Sequence, residues 1–214
     1  MKRLLLASLA ASGFALAAHA TPLTGTFNIS IYQGTGNGTS TDPLVQANLT
    51  NPLFGTTPVG TLSYTGALNF DAGSATTIGG FLATGGGVIT GSFPGAADTL
   101  STAPFGTTTL FSITGSNTEA LTGSVTHDDG ASLYSGSGNA VVFDSSSPTS
   151  VTSTGYTLPG GSFDLVYVEA NGAPAVLDFN VTSVPEPMSI AILGVGLIGL
   201  GVMSRRKSGS AGVA

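Results

Sequence analysis

The residues of this chain that are most able to bind a ligand or catalyse a reaction are its carboxylates, because so few basic groups accompany them. Of the 11 acidic residues, Glu186 lies near the C-terminus, which leaves 11 − 1 = 10 between residues 21 and 183. All 5 Lys and Arg residues lie outside that segment. The segment therefore has no Lys or Arg to hold phosphate, and we exclude nucleic-acid binding by counterion release. A metal cation, a positively charged surface and water remain as partners for the carboxylates.

Catalytic patterns are scarce in the same segment. It contains no cysteine, no lysine and no G-x-S-x-G motif, so the common activated nucleophiles are missing. Its one histidine, His127, is in phase with Leu121 and Val125 and is expected to end a core-facing row. A metal-binding or catalytic-base role for His127 is the alternative. Paired carboxylates for glycoside hydrolysis also stay open, but the sequence as a whole predicts no enzyme and no catalytic residue.

The elements that carry these residues are predicted to be strands. Thr61–Phe70 and Thr26–Tyr32 both alternate between apolar and polar residues. Period-two patterning with Gly, Pro, Asn and Asp punctuation is typical of an all-β, antiparallel sandwich. Gln33–Pro58 and Asp71–Pro104 are predicted to be long loops or strands with a weak pattern, and no helix is expected in this segment. Further predicted strands are Thr107–Thr114, Ala120–His127, Asn139–Phe143, Ser162–Val168 and Ala175–Val181.

The segment 107–181 contains a recognisable arrangement of motifs. Residues Val125–Tyr134 read VTHDDGASLY, and residues Gly161–Gly172 read GSFDLVYVEANG. A strand that ends in Asp-Asp-Gly, a short strand after it and a late strand before a Gly turn resemble the protective-antigen-type β-sandwich and its GLEYA-type adhesin relatives. This resemblance implies a β-sandwich that binds carbohydrate.

The resemblance also implies a site. In the sugar-binding adhesins of that family, two adjacent aspartates hold a calcium ion that also contacts sugar hydroxyls, and Asp128 and Asp129 match that pair. Neighbouring side chains of a strand point to opposite faces, so a cis peptide bond between the two aspartates is implied as well. Where such adhesins add an asparagine, this chain has Glu169, with Asn171 two residues further on. The implied ligands of Ca²⁺, all hard oxygen donors, are therefore Asp128, Asp129, Glu169 and Asn171.

Turn chemistry explains the same aspartates without a metal. Asp129-Gly130 is a frequent two-residue hairpin sequence, because glycine accepts positive φ at no steric cost. Asp128 can hydrogen-bond to the backbone of such a turn. The calcium site and the hairpin turn are both retained as hypotheses.

The C-terminal residues predict the destination of the protein. A glutamate between two prolines precedes the apolar run Met188–Met203, and the basic cluster 205–207 follows it. As a helix this run would be about 24 Å long, short of the about 30 Å hydrocarbon core of a bilayer. The arrangement resembles the PEP-CTERM sorting signal, also called the ice-binding-protein C-terminal domain, which an exosortase-type membrane protease processes. A plain transmembrane anchor is the alternative. The implied sorting residues are Val184, Pro185, Glu186, Pro187, Arg205 and Arg206.

The N-terminus predicts export by the same route. Lys2-Arg3 precedes the apolar helix-forming stretch Leu4–Ala18, and small residues at 18 and 20 suit a signal peptidase. We therefore expect a signal peptide at 1–20, a sandwich ectodomain at 21–183, a sorting tail at 184–207 and a disordered end at 208–214. The C-terminal helix would anchor the chain transiently in the inner membrane before processing.

Three functions fit these features. We predict a surface or extracellular-matrix protein whose ectodomain binds extracellular polysaccharide, with calcium as the candidate ion. A purely structural matrix protein without a ligand site is the alternative. Ice adhesion is a weaker hypothesis, because the threonines at 107–109 belong to no regular repeat.

Overall fold

The alternating segments of the sequence form twelve strands in two antiparallel sheets, in a computed structural model that describes residues 19–74 and 76–182. The predicted all-β antiparallel sandwich is therefore confirmed. The predicted helix of the signal peptide and the sorting tail with Met188–Met203 lie outside the described residues. Within the described ranges, no helix is long and apolar enough to cross a membrane.

The two sheets differ in size. The larger sheet has seven strands in the order β5-β3-β2-β6-β11-β8-β9. The smaller sheet follows the order β1-β12-β7-β10, and β4 pairs with β12 as well. The strands are β1 (Ala20–Pro22), β2 (Thr24–Thr35), β3 (Gly60–Ala67), β4 (Asn69–Ala72), β5 (Val88–Ser92), β6 (Thr107–Asn117), β7 (Leu121–Asp128), β8 (Gly130–Ser135), β9 (Ala140–Ser145), β10 (Thr152–Leu158), β11 (Gly161–Glu169) and β12 (Ala175–Thr182).

One predicted strand is divided between the sheets. The alternating run Thr61–Phe70 begins in β3 of the larger sheet and ends in β4 of the smaller one. Tyr64, Leu68 and Phe70 are all fully buried in the core between the sheets. The apolar phase continues through the crossing because both sheets face the same core, so the sequence pattern alone does not reveal the break.

A short helix, α1 (Ile78–Thr84), occupies the stretch where no helix was expected. The hydroxyl of Thr77 caps it by accepting a hydrogen bond from the backbone N–H of Gly80 at 3.0 Å. The helix buries Ile78, Phe81 and Leu82. Helical periodicity could not predict it, because seven residues make only about two turns. Three 3-10 helices, each beginning at a proline, complete the weakly patterned stretches: Pro43–Val45, Pro52–Gly55 and Pro94–Ala97.

Apolar clusters cover both faces of the larger sheet. Phe111 and Tyr167 belong to the main core between the sheets. Their neighbours Leu110 and Val168 belong to a second cluster, together with side chains of the segment 43–55. Because successive residues of a strand point to opposite faces, this second cluster lies on the outer face of the larger sheet. The segment 43–55 therefore covers part of that outer face.

Strand β12 runs from one end of the sandwich to the other. Near its beginning Val176 pairs with Asp128, and at its end Thr182 pairs with Ala20. Six residue steps between Val176 and Thr182 correspond to about 20 Å. The aspartate pair therefore lies at the end of the sandwich opposite to the C-terminal end of β12.

Candidate functional site

Asp128 and Asp129 lie where the chain crosses from one sheet to the other. β7 ends at Asp128 and pairs with β10 and β12, whereas β8 begins at Gly130 and pairs with β11 and β9. The hypothesis of a two-residue hairpin at Asp129-Gly130 is therefore wrong, since the flanking strands belong to different sheets. Gly130 is required for another reason: a Cβ there would collide with the carbonyl oxygen of Ser146.

The carboxylate of Asp129 is anchored by backbone amides. Its Oδ2 accepts hydrogen bonds from the N–H of Ala170 at 2.8 Å and of Asn171 at 2.9 Å. Burial raises the pKa of Asp129, and these backbone bonds offset part of the shift. The bonds connect the sheet crossing to the turn that follows β11, and they fix the orientation of the carboxylate.

Burial and a neighbouring carboxylate both act on Asp128. Burial, followed by repulsion from Asp129, raises its pKa from 3.8 to about 6. The cis peptides of the described chain are Ala103-Pro104 and Ala173-Pro174, so the expected cis bond between Asp128 and Asp129 is wrong. The two carboxylates share a pocket without it, because the chain leaves β7 at this point and no longer follows the alternation of a strand.

Three of the four predicted calcium ligands line that pocket. Asp128, Asp129 and Asn171 surround a cavity of about 380 Å³. The remaining lining residues are Phe105, Pro148, Thr149, Ser150, Gly172, Ala173 and Pro174. The structure therefore brings together acidic, amide and hydroxyl residues from three separate segments of the chain, of which the sequence indicated two.

The fourth predicted ligand, Glu169, lies beneath the pocket and does not line it. Its side chain is 0% exposed. Its Oε1 accepts a hydrogen bond from the hydroxyl of Ser101 at 2.8 Å, and its Oε2 lies 2.9 Å from the hydroxyl of Tyr167. The structure thus places Glu169 in a buried hydrogen-bond network instead of the cavity.

The hydroxyl of Tyr167 connects Glu169 to the sheet crossing. The Tyr167 hydroxyl also lies 2.5 Å from the carbonyl oxygen of Asp128, which can only accept. Its single proton can be donated to the Asp128 carbonyl oxygen or to Oε2 of Glu169. Burial, with repulsion from Asp129 as a further cause, raises the pKa of Glu169 to about 9. Sequence reasoning missed Tyr167 and Ser101, and Ser101 is 68 residues away from Glu169 along the chain.

His127 is a buried structural residue, in the core-facing position that its phase predicted. Its Nδ1 lies 2.8 Å from the carbonyl oxygen of Asp129, so Nδ1 carries the proton and donates. Burial lowers the pKa of His127, and this hydrogen bond partly offsets the shift. In ranges 19–74 and 76–182, no group of three or more His, Cys, Asp and Glu side chains is arranged to hold a metal ion. Any cation in the pocket would therefore need amide, hydroxyl or ligand oxygens beside the aspartates.

Residues 183–207 match the PEP-CTERM protein-sorting motif. The match confirms the predicted sorting tail and marks the chain as an exported protein that an exosortase processes. The sorting motif begins directly after Thr182, the last residue of β12. It therefore follows the strand end that lies opposite to the aspartate pocket.

Comparison with other proteins also yields similar structures. A PA14 sugar-binding domain from an RTX adhesin is 14% identical, with a TM-score of 0.46, covering 76% of this chain and 100% of its own. The PA14 domain of the MpAFP antifreeze protein is 16% identical, with a TM-score of 0.47, covering 83% of this chain and 89% of its own. No curated protein sequence matches the chain.

Proposed function

We propose that this exported protein binds extracellular polysaccharide through a calcium ion held at Asp128 and Asp129, and that it acts at the cell surface or in the extracellular matrix. The observation that carries the proposal is the pocket itself. Two neighbouring carboxyl groups and the side chain of Asn171 meet there, in a segment without Lys or Arg. The proposed activity is binding, and it includes no catalytic step.

The charge of the pocket favours a divalent cation. Burying two carboxylates side by side is unfavourable unless a positive charge compensates them. No Lys or Arg between residues 21 and 183 can supply that charge. A bound Ca²⁺ would, and it would draw both aspartates into their ionised forms.

The oxygen donors suit calcium better than a soft metal. The amides of Ala170 and Asn171 hydrogen-bond to Oδ2 of Asp129, and the proposed cation would contact this carboxylate through its other oxygen. Asp128 and the side-chain amide of Asn171 add further hard oxygens. Ca²⁺ takes about six to eight oxygen ligands, so sugar hydroxyls and water would complete its coordination. Glu169 stays outside this set, because both of its oxygens are hydrogen-bonded inside the protein.

The walls of the pocket suit a sugar. Thr149 and Ser150 offer hydroxyl groups, and the ring of Phe105 offers an apolar surface. The cavity of about 380 Å³ falls within the about 300–1,000 Å³ usual for small-molecule sites. A terminal sugar or a short segment of a polysaccharide fits that size.

A calorimetric calcium titration of the purified exported protein tests the ion. We expect one stoichiometric site and a calcium-dependent rise in melting temperature, equivalent to about 2.7 kcal/mol at a hundred times the Kd. Asp128→Asn and Asp129→Asn should each abolish both effects. Asp71→Asn is the matched control, because it removes one carboxylate at an exposed position of β4. An equal calcium response in all four proteins would contradict the proposal.

A glycan array with calcium and with chelator tests the polysaccharide. We expect calcium-dependent binding that is lost in Asp128→Asn and Asp129→Asn. Binding to an acidic glycan should disappear in chelator, because a segment without Lys or Arg needs a bridging cation to hold it. Normal delivery to the cell surface without binding to any glycan would support a purely structural matrix protein instead.

Processing is part of the same proposal. Export is proposed to remove residues 1–20, and the sorting protease to cut near Pro185-Glu186-Pro187. The intact mass of protein recovered from the cell surface would show both cuts. A mature protein that keeps Met188–Met203, in cells that contain an exosortase, would contradict the second cut.

A further inference from the structure

The outer face of the larger sheet changes character along its central strands. On β6, Leu110 lies under the segment 43–55, while Thr114 and Ser116, on the same face, are partly or fully exposed. On β11, Val168 and Val166 give way to Asp164 and Ser162 in the same manner. The face is thus apolar where the segment covers it and polar where it is open.

The open part forms a groove. It has a volume of about 420 Å³ and is lined by residues of β2, β6 and β11 together with the turn between β8 and β9. Strand register places Asn28 beside Thr114, and Thr114 beside Asp164. Adjacent strands lie about 4.8 Å apart, so these three side chains form one row across the groove. The backbone N–H of Gly136 donates to the carbonyl of Ser162 at 2.8 Å and fixes the turn at the edge.

Most polar side chains of this groove have no protein partner. Among the described residues, the side chains of Asn28, Ser116, Asn139 and Ser162 make no hydrogen bond, although each lines the groove. Asp164 uses Oδ1 to accept from the hydroxyl of Ser112 at 3.0 Å, and this leaves Oδ2 without a protein donor. The groove therefore presents several free donors and acceptors, all on short side chains with few rotamers to restrict.

We propose that this groove is a second ligand site, which binds a neutral polysaccharide by direct hydrogen bonds without calcium. Amides and hydroxyls can each donate and accept, as sugar hydroxyls can, so the two surfaces are complementary. An acidic polymer is disfavoured, because the lining contains Asp164 and no basic residue.

The groove is separate from the aspartate pocket. Asp164 points to the outer face of the larger sheet, and five residue steps along β11, about 17 Å, separate it from Glu169 beneath the pocket. The groove and the pocket share no lining residue. Two such sites would let one molecule hold two polysaccharide chains, or two segments of the same chain, which increases avidity.

Native affinity electrophoresis of the exported protein tests the proposal, with dextran or hydroxyethyl cellulose cast in the gel and chelator present throughout. We expect at least one of these neutral polymers to retard the wild type. The double variant Asn28→Ala/Ser162→Ala should raise the apparent Kd for that polymer about tenfold, because it removes two side chains that can hydrogen-bond to sugar hydroxyls. The control is Thr90→Ala, an exposed position in the same outer face, on β5 beyond the groove.

The outcomes separate this site from the calcium site. Asp129→Asn should be retarded like the wild type in chelator, whatever the calcium titration shows. Thr90→Ala should also match the wild type, and all variants should keep its melting temperature within a few degrees. The proposal is overturned if neither polymer retards the wild type in chelator, or if the double variant is retarded as strongly as the wild type.

Discussion

The aspartate pocket and the sheet groove contain similar polar side chains, which differ in burial and in hydrogen bonding. In the pocket, Asp129 and the underlying Glu169 are almost entirely buried and hydrogen-bonded within the protein. In the groove, Asn28 and Ser162 are exposed and make no hydrogen bond within the described chain. Burial therefore decides how firmly the fold holds a polar side chain: Asp129 and Glu169 are anchored by hydrogen bonds, whereas Asn28 and Ser162 make none within the described chain.

The largest loss of stability is expected on substitution of Asp129, whose carboxylate is anchored by backbone amides. Asp129→Ala would leave the amides of Ala170 and Asn171 without their acceptor, at a cost of about 2 kcal/mol or more. Asp129→Asn should lose less, because the amide oxygen can still accept both bonds. Urea denaturation in chelator measures the two losses. Equal losses for Ala and Asn would show that the backbone bonds of Asp129 do not stabilise the crossing.

The chain crossing between the sheets at Asp128-Asp129 should be nearly as sensitive to substitution. Gly130→Ala places a Cβ against the carbonyl oxygen of Ser146, and the backbone shift needed should cost about 1–3 kcal/mol. Gly138→Ala is the control, because nothing lies within 4 Å of the position its Cβ would take. Chemical denaturation of both variants gives the comparison. A Gly130→Ala protein as stable as Gly138→Ala would mean that the crossing can relax freely.

The buried acids should make stability decline with rising pH. Glu169 has a folded-state pKa of about 9 against an ordinary 4.5, and Asp128 about 6 against 3.8. The folded protein then keeps protons that the unfolded chain loses, so stability is fully present below about pH 4 and decreases towards pH 9. Glu169→Gln cannot titrate and should flatten the decline between pH 6 and 9, where Asp128 has already ionised.

Melting temperatures in chelator between pH 4 and 9 measure this dependence. Each profile is compared with the slope of the wild type. If Glu169→Gln melts with that same slope, the hydrogen-bond network around Tyr167 does not depend on a protonated Glu169.

The smallest effect is expected in the groove. Asn28→Ala removes an exposed side chain without a partner in the described chain, so the free energy of unfolding should change by less than about 0.5 kcal/mol. Thermal denaturation beside Asp129→Ala provides the contrast. A loss comparable to that of Asp129→Ala would place the groove among the structural features of the fold.

Much of the fold could be predicted from local pattern. β2 carries the expected alternation, with Phe27, Ile29 and Ile31 buried, because a half-buried strand must alternate in period two. The run Thr61–Phe70 shows the limit of such reasoning: its pattern is continuous, but its two halves belong to different sheets. α1 escaped prediction because a helix of seven residues has too little periodicity to detect.

The candidate site was predicted only in part, because its residues come together from distant parts of the chain. The resemblance to sugar-binding adhesins implied Asp128, Asp129 and Asn171, and they do line one pocket. The resemblance implied Glu169 as well, but the structure buries it in a hydrogen-bond network outside the pocket. No feature of the sequence near Glu169 predicts its contact with Ser101, because that contact depends on how a distant loop packs against β11.

The sequence by itself determined the all-β class, the sorting motif and a segment of carboxylates without Lys or Arg. These are properties of local pattern and composition, and they require no knowledge of which strands become neighbours. Only the tertiary structure decided that Asp128-Asp129 is a crossing between sheets, that Glu169 is buried in a hydrogen-bond network and that a polar groove lies open on the larger sheet. Each of these depends on contacts between distant residues, because burial and hydrogen-bond partners are set by packing and not by position along the chain.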